Sequence, residues 1–179
     1  ARYSVIRYFA SDVENAYGPH VADPRSGEIL ESHVGWYHNV MQLLRDWYLI
    51  QTAAVNPKAR HAQFADDQMG ELIRFVSSHE VGHTLGLPHN FGSSYAYPVD
   101  SLRSKTFTDK HGTAPSIMDY ARFNYIAQPG DGVTHLYPQI GEYDNWAIKW
   151  GYTWFPGNKT PEQEKETLAV WTNKNAGNP

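Results

Sequence analysis

Apolar residues recur at helical spacing in two long segments of the chain. The first runs from Trp36 to Val55, with apolar side chains at positions 36, 37, 40, 43, 44, 47 and 50, and it stops before Asn56-Pro57. Residues three and four apart share one face of a helix, so the pattern predicts an amphipathic helix over this range. A second helix is predicted from Gln68 to Leu87, with apolar residues at 72, 73, 75, 76, 81, 85 and 87.

The segment before these helices has the pattern of strands and a turn. Tyr3–Phe9 is rich in β-branched and aromatic residues and predicts a strand. Asp23–Gly27 combines Pro with Gly and predicts a turn. Glu28–Val34 is short and partly polar, so we expect a strand at the edge of a sheet. Strands and helices together predict an α+β fold.

The second half of the chain has fewer periodic segments. Asn90–Gln139 interleaves Gly, Ser, Pro and Tyr and is predicted to be rich in loops. Ile140–Trp150 predicts a helix that ends at Gly151, because glycine readily adopts the conformation that terminates helices.

The C-terminal residues predict a linker and one more helix. Phe155–Asn158 has the Pro-Gly-Asn composition of a linker. Thr160 is a suitable N-cap and is followed by Pro and, three positions on, by Gln, so a helix is expected over Pro161–Asn173. We therefore predict one main domain over residues 1–155, and a linker with a C-terminal helix over 156–179 that leads toward a following region.

Composition excludes several classes of protein. The 179 residues are 41% hydrophobic, which suffices for one packed core. A net charge of −4, with charges interspersed, gives no indication of nucleic-acid binding. No run of eighteen apolar residues exists, so no membrane span is expected. The chain has no cysteine, which excludes disulfides and Cys-ligated zinc. Its first residues do not resemble a signal peptide, so a mature or truncated product is expected.

One motif at the end of the second predicted helix carries the chemistry. His79 and His83 lie one helical turn apart, so both imidazoles leave the same face and can share a cation. Glu80 follows the first histidine and is placed to act on a water held by that cation. Gly86 can adopt the positive φ that ends a helix and returns His89 to the site.

The residue types in this motif indicate the metal and its use. Three neutral imidazole nitrogens suit zinc and leave a fourth position free, as in catalytic zinc sites. A purely structural site would need no Glu80. The sequence thus predicts one Zn²⁺ held by His79, His83 and His89, with Glu80 as general base in hydrolysis.

The spacing H-E-x-x-H-x-x-G-x-x-H resembles that of the metzincins, a clan of zinc metallopeptidases. Ser116–Tyr120 resembles the clan's Met-turn, with Met118 29 residues after His89. The resemblance implies a small twisted sheet, an active-site helix, a loop-rich lower subdomain with the Met-turn, and C-terminal helices. It implies that Met118 packs beneath the imidazoles without binding the metal.

The same resemblance assigns further roles. In the astacin-like and serralysin-like branches, a tyrosine two residues after the methionine stabilises the oxyanion, which implies that role for Tyr120; a core tyrosine is the alternative. The predicted edge strand would bind an extended peptide substrate by main-chain pairing. The loop Ala121–Asp131 would form a wall of the substrate pocket, tuned by Arg122, Phe123 and Tyr125.

Three segments resemble a group of large bacterial zinc-dependent metallopeptidases. They are Asp23–Ile29, His89–Ser94 and Tyr143–Tyr152. The resemblance implies an extracytoplasmic location, whether periplasmic, cell-surface or secreted. Metzincins begin with a strand and a long backing helix that have no counterpart before Tyr3, so other segments of a longer polypeptide are expected to supply them.

Alternatives to a peptidase follow from the same motif. In gluzincins a later glutamate binds zinc, but the first Glu after Glu80 is Glu142, which is too distant for that spacing. A non-catalytic zinc-binding module of a larger secreted protein, or a peptidase fold with a blocked cleft, remains open. Zinc-bound histidines usually donate their second nitrogen to a carboxylate or carbonyl, and Asp100, Asp109 and Asp119 are the candidate carboxylates.

Overall fold

The computed structural model describes residues 3–157 and 159–177; Ala1, Arg2, Asn158 of the predicted linker, and the last two residues lie outside this description. The fold is α+β, as predicted. Its strands are β1 (Val5–Phe9), β2 (Ala16–Tyr17), β3 (His20–Ala22) and β4 (Ile29–Tyr37). Its α-helices are α1 (Val40–Thr52), α2 (Asp66–Thr84), α3 (Val99–Leu102), α4 (Lys105–His111), α5 (Glu142–Tyr152) and α6 (Pro161–Asn175).

Strand β4 lies in the middle of a small sheet. It pairs in parallel with β1 on one side and antiparallel with β2 and β3 on the other. The prediction that Glu28–Val34 forms an edge strand is therefore wrong. Its neighbours β2 and β3 contain only two and three residues, too few to show the alternation by which strands are recognised in a sequence.

The same strand is longer than predicted and shortens the following helix. Trp36 and Tyr37, assigned above to the helix Trp36–Val55, are the last residues of β4. Tyr37 is in register with Phe9 of β1, and their rings stack with centroids 5.1 Å apart. Strand pairing thus overrides the helical spacing, and α1 begins at Val40.

The two faces of the sheet are unequally covered. In β4 the alternate residues Ser32, Val34 and Trp36 are buried, and α2 packs against this strand. Strand β1 is exposed along most of its length: Ile6 is 69% exposed and Tyr8 59%. The well-packed part of the molecule is therefore on the side of the two long helices.

The hydrophobic core lies between α1, α2 and the segment from Ile117 to Leu136. Tyr48 of α1 is fully buried; its ring stacks on Tyr137 and meets Phe123 edge-on, with both centroids 5.0 Å away. Phe123 also contacts Phe75 of α2. These contacts fix the position of α2 relative to the segment from Ile117 to Leu136.

The second half of the chain departs from prediction in two places. Asn90–Gln139 is loop-rich but includes α3 and α4. Helix α5 continues to Tyr152, so the predicted stop at Gly151 is wrong. Helix α6 begins as predicted, with Thr160 Oγ1 accepting from the N–H of Gln163. The division of the chain near residue 155 stays a prediction.

Candidate metal centre

Helix α2 and the turn after it bring the three histidines together. His79 and His83 leave the helix one turn apart, and the helix ends at Thr84. Gly86 has a φ of 87°, the left-handed conformation predicted from the sequence. The N–H of Leu87 donates to Gly82 O at 3.1 Å, which closes the turn and directs His89 back toward the helix.

The geometry of the three imidazoles fits a metal ion. One ligand nitrogen from each of His79, His83 and His89 lies within 4.8 Å of the others. The Nε2 atoms of His83 and His89 are 3.1 Å apart. Two nitrogens bound tetrahedrally to zinc at about 2.05 Å would be roughly 3.3 Å apart, so this separation matches ligands that converge on one ion.

Hydrogen bonds to carbonyls orient two of the rings. His79 Nδ1 donates to Ile117 O at 2.7 Å, and His83 Nδ1 donates to Leu87 O at 2.8 Å. Each ring therefore carries its proton on Nδ1 and presents the Nε2 lone pair to the centre.

The carboxylates considered as partners for these rings are placed elsewhere. Asp119 accepts from the N–H of Ser94, and Asp109 pairs with Lys105. Asp100 lines a surface cavity of about 450 Å³ beside α4. Carbonyls, therefore, and not Asp100, Asp109 or Asp119, orient His79 and His83.

The Ser116–Tyr120 turn lies directly beneath the histidines. Met118 is 1% exposed, and its Sδ packs so closely on Gly82 that a Cβ at position 82 would overlap it. Met118 O accepts the N–H of Asn90 at 3.0 Å, which ties the residue after His89 to the turn. Because Gly82 has no side chain, the turn can approach α2 closely beside the three histidines.

Asp144 holds this turn in place and was not identified from the sequence. The side chain is 3% exposed and accepts from Ser116 Oγ at 2.6 Å, Ile117 N at 2.7 Å and Gly141 N at 2.8 Å. Ile117 is also the residue whose carbonyl orients His79. In the sequence it is one acidic residue within the predicted helix Ile140–Trp150, which gives no indication of a contact with a residue 28 positions away.

Tyr120 lies beside His79 and His89 at the protein surface. Its ring centroid is 5.5 Å from that of His79 and 4.6 Å from that of His89, and Phe91 stacks on His89 at 5.1 Å. Tyr120 is 47% exposed, which rules out the alternative of a core tyrosine.

The loop predicted to form the pocket wall divides between core and surface. Phe123 is 1% exposed within the core, so it does not line a pocket, contrary to the prediction. Tyr125 is exposed. The Arg122 guanidinium stacks on Trp47, with its central carbon 3.9 Å from the ring centroid, and lies 5.1 Å from the ring centroid of Tyr120.

The strand beside the centre is β3. His20 Nδ1 donates to His83 O at 2.9 Å, and Gly18, just before β3, packs against the backbone of Glu80 so closely that a Cβ would overlap its carbonyl oxygen. His20 gave no sequence signal that distinguished it from the other isolated histidines, because its contact depends on how the sheet meets α2.

Comparison with known proteins places this site in a family. A family model described as Met-zincin matches residues 61–179, about two thirds of the chain and all three histidines. The chain belongs to the Met-zincin family. No curated protein and no solved structure matches it. The Met-zincin assignment makes this a zinc metallopeptidase-type domain and implies zinc as the metal.

Burial favours the neutral form of two of the three histidines in this Met-zincin domain. It lowers the pKa of His79 to about 4, and it also lowers the pKa of His89. A neutral imidazole is the form that binds a metal.

Within residues 3–157 and 159–177, no helix is long and apolar enough to cross a membrane.

Glu80 is buried without a partner. It is 7% exposed, and its carboxyl forms no hydrogen bond or ion pair with any other described residue of the Met-zincin domain. Burial raises the pKa of Glu80 to about 7, because the low-dielectric surroundings disfavour the charged form. A carboxyl that exchanges its proton near neutral pH is suited to acid–base chemistry.

Glu80→Gln should therefore stabilise the metal-free chain at alkaline pH. Between the ordinary pKa of 4.5 and the folded value of about 7, the folded chain keeps a proton that the unfolded chain releases, so wild-type stability falls as pH rises through this window. Gln does not ionise. We expect equal free energies of unfolding for the two proteins at pH 4.5, and an advantage of about 3 kcal/mol for the variant at pH 8. Urea titrations of chelated protein measure the difference; one that is independent of pH would contradict the raised pKa.

Proposed function

We propose that this domain is a zinc-dependent metalloendopeptidase. The observation that carries the proposal is the buried, unpartnered carboxyl of Glu80, next in sequence to the first of three convergent imidazoles. A structural metal site has no use for such a group, whose burial is unfavourable when it ionises. Its position and its raised pKa suit a general base.

The chain's own residues have distinct roles in this proposal. His79, His83 and His89 hold one zinc ion, which when bound supplies the Lewis acidity that makes water nucleophilic near neutral pH and polarises a carbonyl. Glu80 takes a proton from the attacking water on its carboxylate and later donates it to the departing amine nitrogen. Burial of this carboxyl raises its pKa to about 7, so it can both accept and release a proton near neutral pH.

Two further residues support the reaction. We propose that Ser116–Tyr120 acts as a Met-turn, in which Met118 forms an apolar base beneath the ligands. The Tyr120 phenol, on the exposed side of His79 and His89, donates a hydrogen bond to the carbonyl oxygen as negative charge develops on it.

The substrate proposed is a peptide or protein in extended conformation. The three histidines progress from buried His79 through half-buried His83 to exposed His89, so the site opens on the surface and admits a polymer. Because β4 has neighbours on both sides, we propose that the substrate pairs with the main chain of β3 instead. The residues of β3 are all exposed, and His20 of this strand contacts α2.

We also propose that further polypeptide accompanies this domain, in an extracytoplasmic setting. Strand β1 exposes apolar side chains to solvent on both of its faces, at Val5, Ile6 and Tyr8. Exposed apolar surface of this kind often marks a site of contact with further polypeptide. The resemblance to large bacterial metallopeptidases supports both the additional segments and the location outside the cytoplasm.

Removal of the metal is the direct test. Wild-type protein should bind one zinc per chain by elemental analysis, lose peptide cleavage on chelation and regain it with added zinc. His83→Ala should bind well below one zinc and cleave nothing. The matched control is His61→Ala, an exposed histidine whose side chain forms no hydrogen bond or ion pair with another described residue, and it should behave as wild type.

The same experiment separates the alternative function. A protein that holds one zinc per chain but cleaves no member of a diverse peptide library would be a non-catalytic zinc-binding module. Mass spectrometry of the digested library, with and without chelator, gives that answer directly.

A further inference from the structure

Arg122 has a backbone conformation that no other side-chain-bearing residue shares in the described part of the chain. Its φ is 63°, in the left-handed region. Arginine seldom adopts this conformation, and residues held there against their preference cluster at functional sites. In this conformation the long cationic side chain, two residues after Tyr120, lies against the rings of Trp47 and Tyr120.

The guanidinium is held by aromatic rings and not by an anion. It lies 3.9 Å from the ring centroid of Trp47 and 5.1 Å from that of Tyr120. Stacking occupies the faces of the guanidinium and leaves the N–H groups at its edges available. Four other arginines, by contrast, form ion pairs with carboxylates of the chain: Arg25, Arg45, Arg74 and Arg103.

No described residue forms a hydrogen bond or ion pair with Arg122, although the side chain is half-buried. A partly desolvated guanidinium without an anion binds a carboxylate from outside the chain more strongly than one that is already paired. The planar fork of its N–H donors matches the two carboxylate oxygens. The rings of Trp47 and Tyr120 restrict the guanidinium to one plane, so little side-chain entropy is lost when it binds.

The position relative to the metal centre limits which part of a substrate can reach it. The Tyr120 ring is a neighbour of both groups: the guanidinium carbon is 5.1 Å from its centroid, and the ring centroids of His79 and His89 are 5.5 and 4.6 Å from it. A peptide whose carbonyl is placed at the three histidines would bring a side chain or terminus within one or two residues of that carbonyl to Arg122.

We propose that Arg122 is a specificity-determining residue that binds a substrate carboxylate beside the cleaved bond. The carboxylate belongs either to an acidic side chain or to the C-terminus of a peptide. This inference rests on the proposed peptidase function and adds the substrate class: acidic peptides, or peptides cleaved close to their C-terminus.

The test compares peptides that differ in one group. A mixed library first locates a cleaved bond. Variants of that peptide then carry Glu or Gln beside the bond, each with an amidated C-terminus, and a third carries Gln with a free C-terminus one residue after the bond. Wild type should show kcat/KM about tenfold higher for whichever carboxylate it recognises than for the Gln amide.

Substitutions at Arg122 then separate recognition from support of the fold. In Arg122→Gln, kcat/KM for the carboxylate peptide should fall to about that for the Gln amide, which is still cleaved. Arg122→Lys should keep part of the preference for the carboxylate peptide. The matched control is Arg74→Gln on the exposed face of α2, which should keep the full tenfold preference. Equal losses for all peptides in Arg122→Gln, or no preference in wild type, would overturn the inference.

A binding measurement distinguishes failure of this inference from failure of the proposed function. Zinc-loaded Glu80→Gln, titrated with the same peptides by calorimetry, should bind the recognised carboxylate peptide about tenfold more tightly than the Gln amide, and Glu80→Gln/Arg122→Gln should not. Preferential binding without cleavage by wild type would refute the peptidase function alone. Cleavage without preference would refute the role of Arg122 alone.

Discussion

Replacement of Glu80 by Gln is expected to reduce kcat/KM for peptide cleavage by about 10²–10⁴-fold while zinc content stays at one ion per chain. Gln fills the same space and is uncharged, but it cannot accept the proton of the attacking water. The loss should fall mainly on kcat, because the histidines, Tyr120 and the substrate contacts are unchanged. Initial rates on a cleaved library peptide, beside elemental analysis of the same samples, measure both quantities.

The control for this variant is Glu71→Gln on the same helix, where the half-buried glutamate pairs with Arg74 about two helical turns before His79. It should retain wild-type rates. If Glu80→Gln cleaved at a rate close to wild type with zinc fully bound, Glu80 would not be the base, and the mechanism proposed for this domain would have to be abandoned.

Replacement of Asp144 by Ala is expected to cost about 3–5 kcal/mol in the free energy of unfolding, because three donors, Ser116 Oγ and the N–H groups of Ile117 and Gly141, lose a buried acceptor together. Zinc affinity should fall about 10–100-fold, since Ile117 also orients His79. Denaturant titration and competition with a zinc chelator measure the two effects.

Asp144→Asn should lie between wild type and Asp144→Ala, because the amide oxygen can still accept while its NH₂ group faces other donors. Asp109→Asn, which alters an exposed pair with Lys105, is the matched control and should leave stability nearly unchanged. Asp144→Ala with wild-type stability and zinc affinity would show that the turn is held by packing of Ile117 and Met118 alone.

The parts of the site that the sequence predicted are those set by local geometry. His79 and His83 lie one helical turn apart, and Gly86 has the positive φ that its position after the helix requires. His89 follows within the same turn. Each of these placements depends on neighbours within about six residues, so the sequence pattern alone determines them.

The parts that were missed depend on contacts between distant segments. The central position of β4 could not be predicted, because β2 and β3 are too short to be recognised, and the edge assignment failed with it. The role of Asp144 depends on how α5 docks against the turn containing Ser116. Phe123 was assigned to a pocket wall, but packing against Tyr48 places it in the core.

The distances along the chain between the site's components have a consequence for the order of folding. All three histidines of the candidate metal centre fall within eleven residues, whereas His79 contacts Ile117, 38 residues away, and Ser116 contacts Asp144, 28 residues away. Local contacts form sooner than distant ones. We therefore expect the three histidines to be able to bind zinc once α2 and its turn have formed, before α5 has docked. Zinc content by itself will not report a finished fold, whereas protection of the Ile117 amide from hydrogen exchange will.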